Sequence, residues 1–264
     1  VTNTRSSSSS LSFSVQLLFF IFPERFPHVT SAKKQLSLTG ICRCRIWSSI
    51  AAKEGKMFED RTAAAIRLAE QLKIYRGQNP LVLAIPRGAV PMSRIIADKL
   101  GGELDVVLVR KLRAPGNPEF AIGAIDENGQ VYLAGHAAQS GATPAYIETE
   151  KAAQLELLRE RRLRYTPVRP PADPHDRIVI VVDDGLATGA TMIAALHTVR
   201  SRRPRKLICA VPVAPAGTLA DITPLADEII CLETPAVFYS VGQFYHSFPQ
   251  IDDDQVITAL GTAP

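Results

Sequence analysis

Asp183 and Asp184 stand side by side at the end of an unbroken apolar run, and a turn of small residues carrying two threonines follows them directly: IVIVVDDGLATGAT, Ile178 to Thr191. Adjacent carboxylates can accept hydrogen bonds from sugar hydroxyls or lie beside a developing positive charge. Gly185, Gly189 and the small Ala187 and Ala190 let the backbone turn tightly, so that its N–H groups and the hydroxyls of Thr188 and Thr191 can wrap an oxyanion. Hydroxyl acceptors beside an oxyanion nest point to a sugar phosphate. The loop lacks the lysine of G-x-x-x-x-G-K-[ST] and is not G-x-G-x-x-G, which excludes a P-loop nucleotidase and a dinucleotide fingerprint. The plain alternative is a helix cap on an ordinary strand-to-helix turn, which needs only one of the aspartates and neither threonine.

Groups of this kind need a scaffold. Ile178 to Val182 reads as a strand buried on both faces, as in a parallel sheet, which brings Asp183 and Asp184 out at its carboxyl end, where open α/β sheets bind ligands. The helix that follows points its positive end at the same spot. Leu81 to Leu100 repeats the pattern: apolar Leu81 to Ile85, a break at Pro86-Arg87-Gly88, then Met92, Ile95, Ile96 and Leu100 at helical spacing. Arg87 and the Gly88 turn suit a pyrophosphate, although a surface arginine on a common turn would look the same.

Leu104 to Val109 reads as a strand ending in Arg110-Lys111, followed by a Pro/Gly/Asn-rich loop from Arg113 to Glu119 and a hairpin turning at Glu127-Asn128-Gly129. After Thr143-Pro144 a long helix is expected, with Ala145, Ile147, Ala152, Leu155, Leu158 and Leu163 as its apolar stripe. Its Glu156, Arg159, Glu160 and Arg162, and the run Arg159 to Arg164, would face solvent. Lys206 to Val213 then reads as a strand, Ala216 to Leu225 as a short helix and Glu228 to Leu232 as a last strand. This βαβ alternation predicts an α/β fold, a Rossmann-like parallel sheet flanked by helices.

VVDDGLATGAT resembles the phosphoribosyl-pyrophosphate (PRPP) signature of the type I phosphoribosyltransferases, with acid pair, small turn and Thr-Gly-x-Thr in order at fixed spacing. The turn at Arg87-Gly88 resembles the pyrophosphate loop of the same family, and RKLRAPGNPEFAIG resembles in more detail a bacterial subgroup whose acceptor is unassigned. The resemblance runs from Met57 to about Leu260 and implies the type I fold with an inserted hairpin and helix and a C-terminal hood. It implies transfer of phosphoribose from PRPP to a nitrogen acceptor, a nucleobase-like heterocycle of nucleotide metabolism, with release of pyrophosphate. Asp183 and Asp184 would be the catalytic pair that holds the ribose hydroxyls. Ala187, Thr188, Gly189, Ala190 and Thr191 would hold the 5-phosphate. Arg87, Gly88 and Lys111 would face the pyrophosphate together with Mg²⁺, for which no direct protein ligand is assigned, and a mobile loop after the Lys111 strand would close over the centre. No general base is identified. A PRPP-binding regulator without transfer activity, or a hydrolase-like activity with water as acceptor, would share the same pocket.

The tail TPAVFYSVGQFYHSF places Phe238, Tyr239, Phe244, Tyr245 and Phe248 close together. Phe238, Tyr239 and Tyr245 are the candidates for laying ring faces on an acceptor base, ordinary packing over the core being the alternative. His246 has no second metal-like ligand at a recognisable spacing and reads as a surface residue.

The first 56 residues differ in kind, holding a serine run, Ser6 to Ser10, a mostly apolar stretch, Val15 to Phe22, too short to span a membrane, and eight basic against two acidic residues. The rest of the chain is then slightly acidic, at net −2, a poor match to bulk nucleic-acid binding. Met57 is the first methionine, and Phe58, Ala65, Leu68 and Leu72 begin a helical pattern just after it. The first reading is therefore a leader, disordered or not native, over 1–56 and a phosphoribosyltransferase-like domain over 57–264. An organellar transit peptide or a secretory signal would also be serine-rich or carry a short apolar run. Cys209 and Cys231 fall in expected buried strands and Cys42 and Cys44 in the leader, which is no disulfide framework. A cytoplasmic protein without membrane or nucleic-acid partners is expected. A homodimer is compatible with the sequence, which does not fix the oligomeric state.

Overall fold

The computed structural model describes residues 57–261 except 136, 166 and 168–170, all within one unit of the chain, Cys42–Pro264. The expectations for the serine run, for Val15 to Phe22 and for Cys42 and Cys44 lie outside the described residues. In chain order, β1 (Leu81–Ala84) and β2 (Glu103–Val106) are followed by β3 (Val109–Ala114), β4 (Asn117–Asp126) and β5 (Val131–Leu133). Then come β6 (Ile178–Val182), β7 (Lys206–Val213) and β8 (Glu228–Glu233). The helices are α1 (Arg61–Gln71), α2 (Ala89–Leu100), α3 (Pro144–Tyr165), α4 (Ala190–Ser201), α5 (Ala216–Ile222) and α6 (Asp253–Gly261). Among these, none is long and apolar enough to cross a membrane.

Five strands pair in parallel in the order β2-β1-β6-β7-β8. Their side chains alternate between two cores, as a period of two requires. Ile178, Ile180 and Val182 of β6 join the layer containing Leu68, Met92 and Val256 of α1, α2 and α6, whereas Val179 and Val181 join Met192, Leu196 and Leu219 of α4 and α5. All five residues of β6 are buried because both faces are covered, which is why the strand is apolar throughout. From β1 the chain moves outward to β2, and from β6 it moves outward the other way, to β7. A crevice therefore opens between the carboxyl ends of β1 and β6, the topological switch point of the sheet.

β3, β4 and β5 form a separate antiparallel sheet. Here the structure corrects the expected strand Leu104 to Val109: β2 ends at Val106, and Arg110 and Lys111 belong to β3. The stretch Leu104 to Val109 is continuously apolar after Asp105, so composition does not show where the chain leaves the first sheet. Most of the expected loop Arg113 to Glu119 is likewise strand, turning tightly at Pro115-Gly116, where Gly116 has φ +70°. The hairpin at Glu127-Asn128-Gly129 is as expected, with both the backbone N–H of Asn128 and that of Gln130 donating to Asp126 Oδ1.

The long helix α3 is present, but its buried face is Glu150, Gln154, Leu158 and Tyr165, and Leu163 is 72% exposed. Arg162 is not solvated. Its guanidinium donates to both oxygens of Glu127, with 2.7 Å from Nη2 to Oε1, and lies 3.5 Å from Asp105 Oδ1. Polar residues at helical spacing serve this face because it packs on the antiparallel sheet, whose edge offers charged partners: Arg113 Nε donates to Glu150 at 2.7 Å and Arg110 Nε to Gln154 at 2.6 Å.

Candidate functional site

The acid pair follows directly from β6. Its neighbour strands hold the exit in place: Ile85 N donates to Val182 O at 2.9 Å and Leu186 N to Val213 O at 2.9 Å. Asp183 Oδ1 accepts from the backbone N–H of Asp184 at 2.9 Å, and both side chains are half-buried. Burial raises the pKa of Asp183 well above the usual carboxylate range, with the negative charge of Asp184 adding to it and Arg61 opposing it. Burial also raises Asp184, again against Arg61. Burial is thus the main cause of both shifts, and Arg61 opposes both.

The small-residue loop runs into α4 through Gly189, which has φ +71° and would drive an added Cβ to 2.7 Å from Thr218 Cγ2. Only glycine meets both conditions. Thr218, on α5, donates its hydroxyl to Ala187 O at 2.7 Å and so braces the loop from behind. Ala187 and Thr188 are exposed, and Ala190 and Thr191 half-buried at the start of α4. The first N–H groups of a helix have no intrahelical partner and carry its positive end, so loop and helix start together offer donors suited to an anion.

The turn after β1 meets the acid pair. A Cβ on Gly88 would lie 2.0 Å from Asp184 Oδ2, so only a bare glycine lets the turn come this close. The Pro86–Arg87 peptide is cis. Arg87 is exposed beside it, and its positive charge acts on Tyr165 at the end of α3. Lys111 is exposed on β3. The structure thus gathers Asp183, Asp184, the loop to Thr191 and Gly88 at one crevice, with Arg87 at its border, and puts Lys111 on the separate antiparallel sheet.

The aromatic tail divides. Tyr239 is 86% exposed and Phe238 half-buried, its ring 5.1 Å from that of Phe244. Tyr245 is 4% exposed, its ring between Phe58 at 5.4 Å and Phe248 at 4.8 Å. Its hydroxyl donates to the backbone carbonyl of Asp184 at 2.6 Å. Tyr245 therefore has no free face to offer a base, and it sets the position of the acid pair instead. His246 is exposed.

Sequence reasoning missed Arg61. Asp60 caps α1 by accepting from Ala63 N at 2.8 Å, which fixes the helix start and places Arg61 in its first turn. From there Arg61 Nε and Nη2 donate to Asp184 Oδ2 at 2.9 and 2.8 Å. No local signal marks an arginine whose partner lies 123 positions away. Thr218 was missed for the same reason, since it reads as one more polar residue on a short helix.

The arrangement can accept sugar hydroxyls at the carboxylates and bind a phosphate at the loop. Comparison with known proteins points the same way. The family profile of the phosphoribosyl transferase domain matches residues 54–248. Relatives in two strains of Mycobacterium tuberculosis, whose names place them among phosphoribosyl transferases, are 39% identical over 209 residues, covering 79% of this chain and 47% of theirs. The chain spans about half the length of these curated relatives. A crystal structure of a protein from Thermus thermophilus is 44% identical, covers 78% of this chain and 98% of its own, and superposes with a TM-score of 0.71. With its matched span including the acid pair, the loop and the Gly88 turn, the chain belongs to the phosphoribosyl transferase domain family.

Proposed function

We propose that this domain binds PRPP and transfers its phosphoribosyl group to a nitrogen acceptor, releasing pyrophosphate. The observation that carries the reading is the meeting of the acid pair, the anion-binding loop and the Gly88 turn at the switch point of the sheet. Asp183 and Asp184 accept hydrogen bonds from the ribose hydroxyls, and the segment Ala187 to Thr191 takes the 5-phosphate. Gly88 brings backbone against the diphosphate side of the ribose and Arg87 supplies positive charge to the departing group, with Lys111 joining it when the antiparallel sheet that carries it closes on the crevice. The bond from the anomeric carbon to the pyrophosphate oxygen breaks, a bond to the acceptor nitrogen forms, and the nitrogen gives up its proton. Positive charge builds on the ribose ring as the leaving group departs, and the two carboxylates lie where they stabilise it.

Among the described residues no group of three or more His, Cys, Asp or Glu side chains is placed to hold a metal ion. Mg²⁺ would therefore enter with PRPP, held by the oxygens of the substrate without a direct protein ligand, and would offset the charge of the pyrophosphate. The acceptor is a planar heterocycle, for which Phe238 and Tyr239 provide the aromatic faces. Titration calorimetry with PRPP and Mg²⁺, followed by a pyrophosphate-release screen over purines, pyrimidines and simple amines, tests the reading. Binding together with acceptor-stimulated release is the expected result. Absence of PRPP binding would overturn the assignment, and binding without stimulation by any acceptor would favour a PRPP-responsive regulator.

A further inference from the structure

Arg61 joins three parts of the molecule that are remote in sequence. Its Nε and Nη2 both donate to Asp184 Oδ2, its Nη1 donates to the carbonyl of Pro249 at 2.7 Å, and its guanidinium carbon lies 3.7 Å from the centroid of the Phe248 ring. The side chains of Arg61 and Asp184 are only 11% and 15% exposed. One edge of the planar group is thus spent on the carboxylate, the other on the C-terminal backbone, and a face on an aromatic ring. That combination uses the fork geometry and stacking peculiar to arginine. Both carboxylate bonds fall on Oδ2, which leaves Oδ1 outside the pair, and the same Arg61 Nη2 would be 3.2 Å from a Cβ added to Gly88.

We propose that Arg61 is a positioning residue for substrate binding, fixing the orientation of Asp184 and cancelling one of the two adjacent negative charges that face the ribose. The proposal rests on the phosphoribosyl-transfer reading of this site. Two neighbouring carboxylates in a sheltered crevice repel each other, and hydroxyl recognition needs them ionised and held in one orientation. Among the described residues, the charged and titratable groups around the pair are Arg61 from α1, Tyr245 from the C-terminal segment and Cys209 from β7. Of these only Arg61 brings positive charge, and it opposes the upward shift of both aspartates. Its contacts to Phe248 and Pro249 tie this setting to the C-terminal segment, so the acceptor side and the ribose side of the crevice share one guanidinium.

The test measures PRPP affinity by calorimetry at saturating Mg²⁺ across the weakly acidic to neutral range, which needs no acceptor. Arg61→Gln is expected to weaken binding by about tenfold or more, the size of a lost charged hydrogen bond. It should also move the pH at which binding is half lost upward. Arg61→Lys, which keeps the charge without the fork, should lose affinity while keeping the wild-type pH dependence. In an Asp184→Asn background Arg61→Gln should add little, because the residue acts through Asp184. If Arg61→Gln does not fold, Arg61→Lys decides: wild-type affinity in that variant overturns the positioning role. Wild-type affinity and pH profile in Arg61→Gln, with Asp184→Asn weakened, would sink the proposal and leave the PRPP site standing. Tighter binding in Arg61→Gln would show that Arg61 competes with substrate for Asp184, which also overturns it. Failure of the wild-type chain to bind PRPP would remove the reading of the site and the proposal with it.

Discussion

The phenolic hydroxyl of Tyr245 donates a 2.6 Å hydrogen bond to the backbone carbonyl of Asp184, so a ring from the C-terminal segment fixes the backbone of the second carboxylate. Burial, with the charge of Asp184 next, pushes the Tyr245 hydroxyl far above its ordinary range and keeps it a donor. Replacing it by Tyr245→Phe leaves a sheltered carbonyl without this partner, which costs about 1–3 kcal/mol. Urea unfolding should show that loss, and PRPP affinity should fall less than in Asp184→Asn, since the carboxylate itself survives. An unchanged midpoint would show that the carbonyl finds another donor.

Asp183→Asn should separate binding from stability. Removing the charge should weaken PRPP binding by roughly 10- to 150-fold, the value of a charge-assisted hydrogen bond. The same change should stabilise the free protein at neutral pH. The native carboxyl holds its proton to higher pH than in the unfolded chain, so the linked stability is complete below the unfolded value, near 3.9, and is lost as pH rises through the native value. The Tm advantage of Asp183→Asn should therefore be small in acid and grow toward neutrality. A Tm advantage that does not depend on pH would mean that Asp183 is not strained by its charge.

The legibility of this molecule follows from where each residue finds its partners. β6, β7 and β8 could be read from sequence within a residue because unbroken apolar runs bounded by turn residues have few other uses. The placement of the acid pair beside the loop was legible because both are contained in the short stretch Asp183 to Thr191. Arg61, Thr218 and Tyr245 were not, since each owes its role to a partner on another element: Asp184, Ala187 and again Asp184. Arg162 was misread for a related reason. A run of arginines on a long helix normally faces solvent, and only the fold reveals Glu127 and Asp105 beneath it.

Gly88→Ala tests the close approach of the two strand ends. The added Cβ would sit 2.0 Å from Asp184 Oδ2, so the carboxylate must swing off Arg61 or the turn must retreat. Either response should reduce PRPP affinity by at least about tenfold, and overpacking should cost about 1–3 kcal/mol of stability. Calorimetry and thermal unfolding on the same variant would check both. An alanine here with wild-type affinity would show that neither group contributes its position to binding.

The antiparallel arm is held on its α3 side by Arg113–Glu150 and Arg110–Gln154, and the turn Pro115-Gly116 lies beyond those anchors. On the proposed reaction, closure of the tip over the diphosphate would leave the arm attached. PRPP with Mg²⁺ should then protect the segment Arg113 to Glu119 from proteolysis by a protease of broad specificity. Equal cleavage with and without saturating ligand would count against a closing arm.

On the proposed reaction the acceptor is a planar base. With Tyr245 buried, Tyr239 at 86% exposure and the half-buried Phe238 are the rings proposed to meet it. Stacking on an aromatic side chain contributes about 1–3 kcal/mol per base by alanine substitution. Tyr239→Ala should therefore raise the apparent acceptor constant by roughly 5- to 150-fold while leaving the PRPP constant nearly unchanged, because among the described residues Tyr239 is hydrogen-bonded to Gln243 and not to the acid pair or the loop. Its backbone N–H donates to Gln243 Oε1 at 3.0 Å, a contact the alanine variant keeps, so the fold of the tail should survive the substitution. The comparison needs an acceptor from the pyrophosphate-release screen. If the active acceptor is an aliphatic amine, or if Tyr239→Ala and Phe238→Ala leave the acceptor constant of a heterocycle untouched, the tail serves packing and the base is held elsewhere.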